Sequence, residues 1–567
     1  MPRPAPLRRA DVIALRRAVS HGGDERTALL HEAAARPLRT ATALREWHDL
    51  LLFVVAHPRS VSEWKWAQAE LDRVPAGAAA LPVGTRPGLL NSGVAGAPVE
   101  GSFSLALVRW LVGRWPGQVL LTQVDAPLDD VRDVLRALVL PVERELVDAP
   151  VHDADAMLSM LFGANRSRWL PLLLDRFDAL PMPEAHRAQW FARLHAWVQV
   201  ADPVTDGALA IPAATCAVTQ ARAPSAPPFT HPDGLQRGVD LATIMAQPAP
   251  PPLRLAPSAA QQLIDTARTV LVTLARETDP ITYASAVTLH DMGRGLRIAL
   301  FSLDVPHRLP FDSYVGFMAF RNGVPLAYGG AWIVPGRSKV GINVFPAQRG
   351  GESAWFFAQL LRLYRGRHHV DRFEVEHYQL GYRNPEGLRS GAYWFYYRIG
   401  FRPPTPALRR FAERAFTRLS RRTDHVVPRR ELLTLVEAGL ELVMAGAASP
   451  TVDAGELTAA VSRHVVRRHA GDRHRALARA RQRVHAVLRD VLPTGGLATW
   501  STASRAMLDQ WLLALDLVDD LERWPRTERR RLAEVIRAKG EADETRHQQR
   551  LRAHTRLLAC WARTISD

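Results

Sequence analysis

The chain has 567 residues, 47% of them hydrophobic and 23% charged, and its formal net charge is +16. These values are typical of a folded protein of several domains and exclude wholesale disorder. Two cysteines, Cys216 and Cys560, exclude a disulfide framework and a four-cysteine zinc site. No apolar run approaches the ~18 residues of a transmembrane helix and no signal peptide is recognisable, so we expect a cytoplasmic protein without a membrane partner.

The positive charge comes almost entirely from arginine, because lysine occurs only at positions 65, 339 and 539. An excess of arginine beside abundant alanine, proline and leucine is typical of a high-GC gene. Arginine also covers apolar surface and pairs with carboxylates. The charge therefore does not by itself indicate general nucleic-acid binding.

Residues 1–202 are predicted to form a mostly helical domain, with a short strand over 118–123 and a helix over 129–146. The glycine-rich stretch 91–104 precedes a helix, but its spacing matches no standard glycine motif, and we interpret it as a surface loop. Residues 203–257 contain eleven prolines, a density that predicts a linker or an extended strap. A helix is predicted to follow it, with Ser258 as N-cap and Gln261 completing a capping box.

Residues 258–420 show a different pattern, in which strands and helices alternate. Strands are predicted over 296–303, 314–320, 326–334 and 340–345. The turn sequences Arg321-Asn322-Gly323 and Pro335-Gly336 connect the last three strands as hairpins. A helix over 352–364, a strand over 372–378 and a helix over 385–400 follow. This order predicts a mixed α/β domain in which an antiparallel meander precedes a helix–strand–helix unit.

Residues 421–567 are predicted to form a helical, arginine-rich domain. Eight arginines lie between positions 463 and 483. A solvated helix face explains them, and contact with RNA is the alternative. His464, His469 and His474 recur every five residues, which places them on different helix faces, and we predict no metal site.

The segment 344–354 carries the strongest functional signal, because it joins a strand to a helix and contains the consecutive glycines Gly350 and Gly351. Small residues allow a tight turn that exposes backbone N–H groups, and the helix N-terminus adds partial positive charge. The pattern predicts an anion site suited to a pyrophosphate.

The region resembles the GNAT superfamily of acyl-CoA-dependent N-acyltransferases. The matching residues have the spacing of that family's CoA loop and later helix: Val344, Pro346, Arg349 and Ala354, then Tyr396 before Gly400-Phe401. The resemblance implies a GNAT-like fold, acetyl-CoA or another acyl-CoA as co-substrate, and no metal. It implies that the co-substrate is bound by Val344, Gln348, Arg349, Gly350, Gly351, Ser353 and Ala354. Glu352 stands where the family has glycine, and a carboxylate there would repel a pyrophosphate.

By the same resemblance, Tyr396 is the general acid that protonates the departing thiolate, a role that suits a phenol with a pKa of about 10. Glu376 and His377, near the end of the predicted strand 372–378, are the candidates for the general base. Alternation places Glu374 and Glu376 on one face of that strand and His377 on the other. The pattern does not choose between the two faces.

Substrate contacts are expected at Asn343 and at Asn384, which also precedes a helix as a cap. Gly329 and Gly330 lie inside a strand, where they indicate a bulge or a close backbone approach. The acyl arm of a ligand is one reason for such an approach and tight packing is another, so both glycines are also candidate substrate contacts. The core stripe of the last helix is predicted to be Leu388, Ala392, Phe395 and Ile399.

The sequence thus favours an enzyme that transfers an acyl group, with acetyl expected, from acyl-CoA to an amine by direct attack. Two alternatives stay open. One is a transferase of the same fold that takes an aminoacyl group from tRNA. The other is a non-catalytic binding or scaffold module. The acceptor is left open between a small molecule and a peptide amine, as are the oligomeric state and the roles of the flanking domains.

Overall fold

The computed structural model describes residues 5–21, 25–94, 97–200, 227–421, 427–444 and 452–566. Within these ranges the chain is a mixed α/β protein with a seven-stranded sheet, a three-stranded sheet and helices around both. None of the described helices is long and apolar enough to span a bilayer. Cys560 is a buried free thiol, and Cys216 lies outside the described residues.

Four helices open the chain: α1 (Arg9–His21), α2 (Arg26–Ala34), α3 (Ala41–Ala56) and α4 (Val61–Ala79). Thr40 and Ser60 cap α3 and α4, since each side chain accepts a hydrogen bond from the backbone N–H three residues on. A fully buried ion pair of 2.8 Å between Arg26 and Glu63 joins α2 to α4. The central helix α3 buries Leu44, Trp47 and most of the residues that follow.

A small antiparallel sheet follows, in the order β1–β3–β2. Its strands are β1 (Val99–Ser102), β2 (Val119–Val124) and β3 (Ala196–Val200). β1 lies inside the stretch 91–104, so the interpretation of that whole stretch as a loop is wrong. Asn91 holds this strand by two hydrogen bonds with the backbone of Glu100. The surrounding helices are α5 (Leu105–Arg114), α6 (Leu128–Leu138), α7 (Arg144–Asp148), α8 (Ala154–Phe162), α9 (Trp169–Ala179) and α10 (Glu184–Arg193).

The strap, which is the described part of the proline-rich segment (residues 227–257), includes the short helix α11 (Leu241–Ala246). Asn322 connects the strap to the central sheet and to α3, because its amide exchanges hydrogen bonds with the backbone of Phe229 and donates to the carbonyl oxygen of Ala56. The next helix, α12 (Pro257–Val272), has Ala256 as its N-cap. The predicted N-cap Ser258 is therefore wrong, because the fixed φ of Pro257 already suits the first helical position.

The central sheet has the strand order β10–β9–β8–β7–β6–β5–β4. Its strands are β4 (Ala284–Gly293), β5 (Leu296–Leu303), β6 (Ser313–Arg321), β7 (Val324–Val334), β8 (Arg337–Val344), β9 (Arg372–Val375) and β10 (Leu440–Val443). The predicted meander is confirmed, and β4 extends it. Asn322 and Gly323 both have positive φ, 48° and 82°, as a type I′ hairpin turn requires. The sheet also takes β10 from the segment assigned to the C-terminal helical region.

Helices cover both faces of this sheet. α12 and the short α13 (Asp279–Thr282) lie on one face, where Leu263 and Val270 pack with Phe301, Phe320 and other sheet residues. The crossover helix α14 (Ser353–His368) lies on the other face and connects β8 to β9. Three short helices follow β9: α15 (His377–Leu380), α16 (Pro385–Ser390) and α17 (Ala392–Ile399).

Two predictions in this last part are wrong. The strand predicted over 372–378 ends at Val375, and the helix predicted over 385–400 is interrupted at Gly391, where φ is +70°. Of the predicted stripe, Ile399 is buried, and Leu388 and Phe395 are partly buried against the core. The other buried side chains of α17 are four that the stripe did not include: Tyr393, Trp394, Tyr396 and Tyr397. The aromatic side chains are buried because α17 packs on two sides, against the sheet core and against Phe416 of the next helix.

The C-terminal region is helical apart from β10: α18 (Pro406–Arg421), α19 (Arg429–Val436), α20 (Ala454–His469), α21 (Arg473–Arg489), α22 (Thr502–Asp516), α23 (Arg526–Lys539), α24 (Thr545–Ala553) and α25 (Thr555–Ser566). Arg308, between β5 and β6, joins this region to the sheet. Its buried guanidinium donates to the carbonyl oxygens of Lys539, Glu541 and Ala542. Lys539 in turn forms a buried ion pair with Glu544.

Candidate functional site

The central sheet separates between its two parallel strands. β8 and β9 pair only where residues 337–339 face residues 372–374. β8 continues to Val344, whereas the chain leaves β9 for α15 after Glu376. The end of β8, residues 340–344, thus has no strand partner on this side among the described strands. We name this gap the β8–β9 opening, and it offers backbone groups to a ligand.

Tyr396 lies on α17 with its hydroxyl at the β8–β9 opening. Its ring is buried against Phe357 and Phe401. The hydroxyl donates a 2.9 Å hydrogen bond to Oε1 of Gln379 on α15. Burial raises the pKa of Tyr396 well above its ordinary value, and the backbone of Ile342 on β8 opposes part of this rise. The phenol is therefore protonated at neutral pH, as a proton donor must be.

Gln379 fills the space between Tyr396 and β8. A Cβ atom at Gly341 would lie only 2.7 Å from Nε2 of Gln379, so this amide lies directly on the β8 backbone. The sequence did not single out Gln379, because the predicted strand over 372–378 concealed the start of α15. A ligand that reaches Tyr396 along β8 must displace this side chain.

The loop after β8 ends in the N-terminus of α14. Pro346–Gln348 form one 3-10 turn, and Gly350 has φ +87°, a conformation that favours glycine. Glu352 is the N-cap residue, but its side chain makes no cap hydrogen bond. The backbone N–H groups of the first turn, which begins at the half-buried Ser353 and Ala354, therefore receive no side-chain cap. Such a helix end attracts anions.

Arg349 is the loop's exposed cation. Its side chain is 58% exposed and pairs with Glu386 of α16 at 3.3 Å. An exposed pair of this kind contributes little to folding, so the guanidinium is available to a phosphate. Gln348, by contrast, is buried, and its amide nitrogen donates to the carbonyl oxygen of Leu52. Val344 forms the last residue of β8.

Glu352 points away from the loop surface into the protein. Its carboxylate accepts hydrogen bonds from Arg321 (2.7 Å), Arg294 (2.9 Å) and the backbone N–H of Gln236 (2.7 Å). Burial alone would raise the pKa of Glu352, but the neighbouring His231, Arg321 and Gln236 together hold it well below its usual range. The expectation that this carboxylate would repel a pyrophosphate is therefore wrong. The carboxylate is buried on the protein-facing side of the loop, where two arginines neutralise it.

The N-terminal helices contact the protein-facing side of the loop that follows β8, a contact that the sequence did not predict. Arg16 of α1 donates hydrogen bonds of 2.7, 2.9 and 3.1 Å to the carbonyl oxygens of Pro346, Ala347 and Arg349. A Cβ atom at Gly351 would lie 2.9 Å from the ring of the buried His57. Gly351 is thus required for close packing of the loop on α3 and its C-terminal end.

The two candidate bases are both exposed at the start of α15. Glu376 is the N-cap residue and pairs with Lys339 at 3.3 Å, and His377 packs its ring edge-on against Tyr382. Because β9 ends at Val375, the predicted alternation of faces does not extend to these positions. Tyr396 makes its hydrogen bond with Gln379 and not with either of them.

The two strand glycines serve close packing. At Gly329 a Cβ atom would overlap the carbonyl oxygen of Gly341, and at Gly330 it would lie 2.6 Å from the ring of Tyr314. Pairing is regular at both glycines, and the register shift lies between Ala319 and Phe320. The bulge alternative at 329–330 is therefore wrong, and the close approach is the correct one.

The two predicted asparagines differ. Asn343 is exposed on β8 near its end. Asn384 is fully used in structure, because its Oδ1 caps α16 at the N–H of Gly387 and its Nδ2 donates to the carbonyl oxygen of Tyr378. Asn343 is thus the better placed of the two for a ligand.

A cleft with a volume of about 50 Å³, partly open to solvent, lies beside the loop between α3 and α12. Leu52, Val270, Leu274 and Phe345 supply apolar walls, and polar groups come from residues that include Arg45, His48 and Asp49. This volume holds a few water molecules and is well below the ~300 Å³ of a typical small-molecule site. This cleft could not be predicted from the sequence, since its walls come from distant segments.

No protein-family model, no curated protein and no solved structure matches the chain. The candidate site therefore rests on the geometry of the β8–β9 opening, the loop and Tyr396.

Proposed function

We propose that the central domain is a GNAT-like acyltransferase that moves an acyl group, most simply acetyl, from acyl-CoA to an amine. The observation that carries the proposal is the position of Tyr396. Its buried, protonated hydroxyl lies where the parallel strands β8 and β9 separate. The loop that follows β8 leads into the N-terminus of α14, which has no side-chain cap. A proton-donating side chain and an anion site along one strand suit acyl-CoA, which carries both a thioester and a pyrophosphate group.

The donor is proposed to lie along the free edge of β8. The first turn of α14, with Ser353 and Ala354, binds the pyrophosphate, and Arg349 leaves its exposed pair with Glu386 to contact it. The arm that carries the thioester enters the β8–β9 opening and displaces Gln379.

The reaction is a direct transfer. The amine nitrogen attacks the thioester carbonyl carbon, the carbon–sulfur bond breaks, and the departing thiolate takes the hydroxyl proton of Tyr396. The proton that the amine loses passes to Glu376, His377 or solvent, and Tyr396 regains its proton from solvent. Positioning supplies most of the rate, so no covalent intermediate is required.

The acceptor is an amine of a small molecule or a peptide, and we place it on the sheet face of Asn343. Tyr314 and Trp332 stack at 4.2 Å on that face. Trp332 is 38% exposed and lies opposite Lys339, four residues along β8 from Asn343. An exposed aromatic surface on the same face suits an amine with an apolar body.

The direct test is calorimetric titration of the full chain with acetyl-CoA and with CoA. Wild type is expected to bind both, Arg349→Ala to bind neither at the same concentrations, and Tyr396→Phe to bind as wild type does. Arg410→Ala, which changes an exposed arginine of α18, is the matched control and should bind normally. If neither acetyl-CoA nor CoA binds to the folded wild-type protein, the proposal is wrong.

A non-catalytic module of the same fold is the second candidate, and Gln379 favours it. The side chain already satisfies Tyr396 and fills the β8–β9 opening. This candidate predicts that neither wild type nor Gln379→Ala binds CoA, whereas the enzyme hypothesis predicts that Gln379→Ala binds CoA more tightly than wild type because no side chain has to be displaced.

The aminoacyl-tRNA alternative is weakened, because Glu352 faces inward and several C-terminal arginines are already paired. Arg483, for example, bonds Asp516 and Glu522. A steep salt dependence of tRNA binding, without CoA binding, would revive it.

A further inference from the structure

Three side chains of the C-terminal region converge at one point. His464 lies on α20, His469 is the last residue of α20, and Asp516 is the last residue of α22. One ligand atom from each lies within 4.8 Å of the others. The sequence predicted that the histidines would lie on different faces of one helix, and it could not predict that α22 brings a carboxylate to both of them.

The cluster is largely buried. The side chains of His464 and Asp516 are 13% and 12% exposed, and His469 is 7% exposed. Nε2 of His464 lies 2.9 Å from Oδ2 of Asp516. Nδ1 of His469 is buried and has no hydrogen-bond partner among the described residues. The hydrogen bond between His464 and Asp516 does not account for Nδ1 of His469. A buried polar atom without a partner lowers the stability of the folded protein.

The carboxylate is held in the orientation that a metal ligand needs. Arg483 donates from Nη1 to Oδ1 of Asp516 at 3.0 Å, which leaves Oδ2 directed at the histidines. Hydrogen bonds of this kind commonly fix metal ligands. Arg483 also pairs with Glu522, so its positive charge is shared between two carboxylates and does not exclude a cation.

We propose that His464, His469 and Asp516 bind one divalent transition-metal ion of the zinc type. Two imidazoles and one carboxylate are a typical zinc ligand set, with a water molecule in the fourth position. Ligand distances of ~2.0–2.2 Å need the three groups to close slightly around the ion. The ion fastens the C-terminal end of α20 to that of α22. The proposal is independent of the acyltransferase function.

The experiment uses the full chain, without an affinity tag, after removal of metal with EDTA. Calorimetry with ZnCl2 and visible absorption with CoCl2 are expected to show one bound ion per chain and the spectrum of a four-coordinate nitrogen–oxygen site. Zn²⁺ is also expected to raise the unfolding temperature, because it binds the native state.

His464→Gln and His469→Gln should each weaken binding by more than the ~10–100-fold that loss of an outer-shell partner costs, and each should abolish the thermal shift. Asp516→Asn keeps a side chain that can bond Arg483 and should weaken binding while the fold is retained. His474→Gln, which changes an exposed histidine on α21, is the control and should bind as wild type. Absence of Zn²⁺ and Co²⁺ binding to wild type would overturn the proposal, as would undiminished binding in both His464→Gln and His469→Gln.

Discussion

Glu352 and Arg349 lie three residues apart in one loop and differ in the sign of their charge, in burial and in their partners. Glu352 is 1% exposed and bonds two arginines and a backbone amide inside the protein. Arg349 is mostly exposed and shares only a surface pair with Glu386. One charge therefore holds the loop in place, and the other is free to meet a ligand. Substitutions that act on folding should separate from those that act on donor binding.

Glu352→Gln is expected to give the largest effect on folding. It removes the charge that neutralises Arg321 and Arg294, and breaking a buried pair costs about 3–5 kcal/mol. Urea unfolding followed by circular dichroism measures the loss. Glu386→Gln is the matched control, and its effect should stay below about 1 kcal/mol. Equal losses in the two variants would contradict the inward role of Glu352.

The stability of the folded protein should depend on pH through Glu352. The pKa of Glu352 is lowered in the folded protein, so the folded state binds the proton less readily than the unfolded chain does. Its stabilisation is complete above the unfolded pKa of about 4.3 and is lost as pH falls below it. Unfolding measured as pH is lowered from 6 should show less loss in Glu352→Gln than in wild type. An identical pH dependence would show that Glu352 does not contribute.

Gly351→Val is expected to cost about 1–3 kcal/mol, because its side chain must push the buried His57 aside. Thermal unfolding measures the change. Gly113→Ala is the control, since a Cβ atom there meets no neighbour within 4 Å and alanine favours a helix. Wild-type stability of Gly351→Val would show that the loop does not depend on the N-terminal helices.

Tyr396→Phe removes one hydrogen bond and should lower the free energy of unfolding by about 1 kcal/mol. Its effect on the proposed acyl transfer is expected to be much larger. Loss of the proton donor should slow acyl transfer by about 10²–10⁴-fold while acetyl-CoA binding is retained. Release of the CoA thiol with a panel of amines measures the rate. A rate equal to that of wild type would remove Tyr396 from the mechanism.

Arg349→Ala should have the smallest effect on folding, below about 1 kcal/mol, because its pair is exposed. The same substitution should abolish donor binding. A large loss of stability in this variant would mean that Arg349 acts as Glu352 does, and the distinction between the two charges would fail.

The sequence predicted what depends on local chemistry. Asn322-Gly323 determines a hairpin, and Asn384 followed by Pro385 determines a helix start, because turn and cap preferences act over a few residues. It could not predict that Glu352 faces inward, because its partners Arg321 and Arg294 come from another part of the sheet. Arg16 and the His464–Asp516 contact were missed for the same reason, and Gln379 was missed because the strand was predicted to continue into the start of α15. The spacing of residues along the chain indicates which residue types lie near one another. The direction in which each side chain points depends on tertiary packing, which the sequence pattern does not show.

The loop after β8 and the β8–β9 opening are proposed to form the donor site. Hydrogen–deuterium exchange of the full chain with and without CoA is the measurement that distinguishes this location from any other. Saturating CoA is expected to slow exchange in peptides that cover residues 346–356 and 379–396, and Arg349→Ala should abolish this protection. Unchanged exchange in both segments at saturating CoA, or protection only around the cleft of α3 and α12, would contradict the claim.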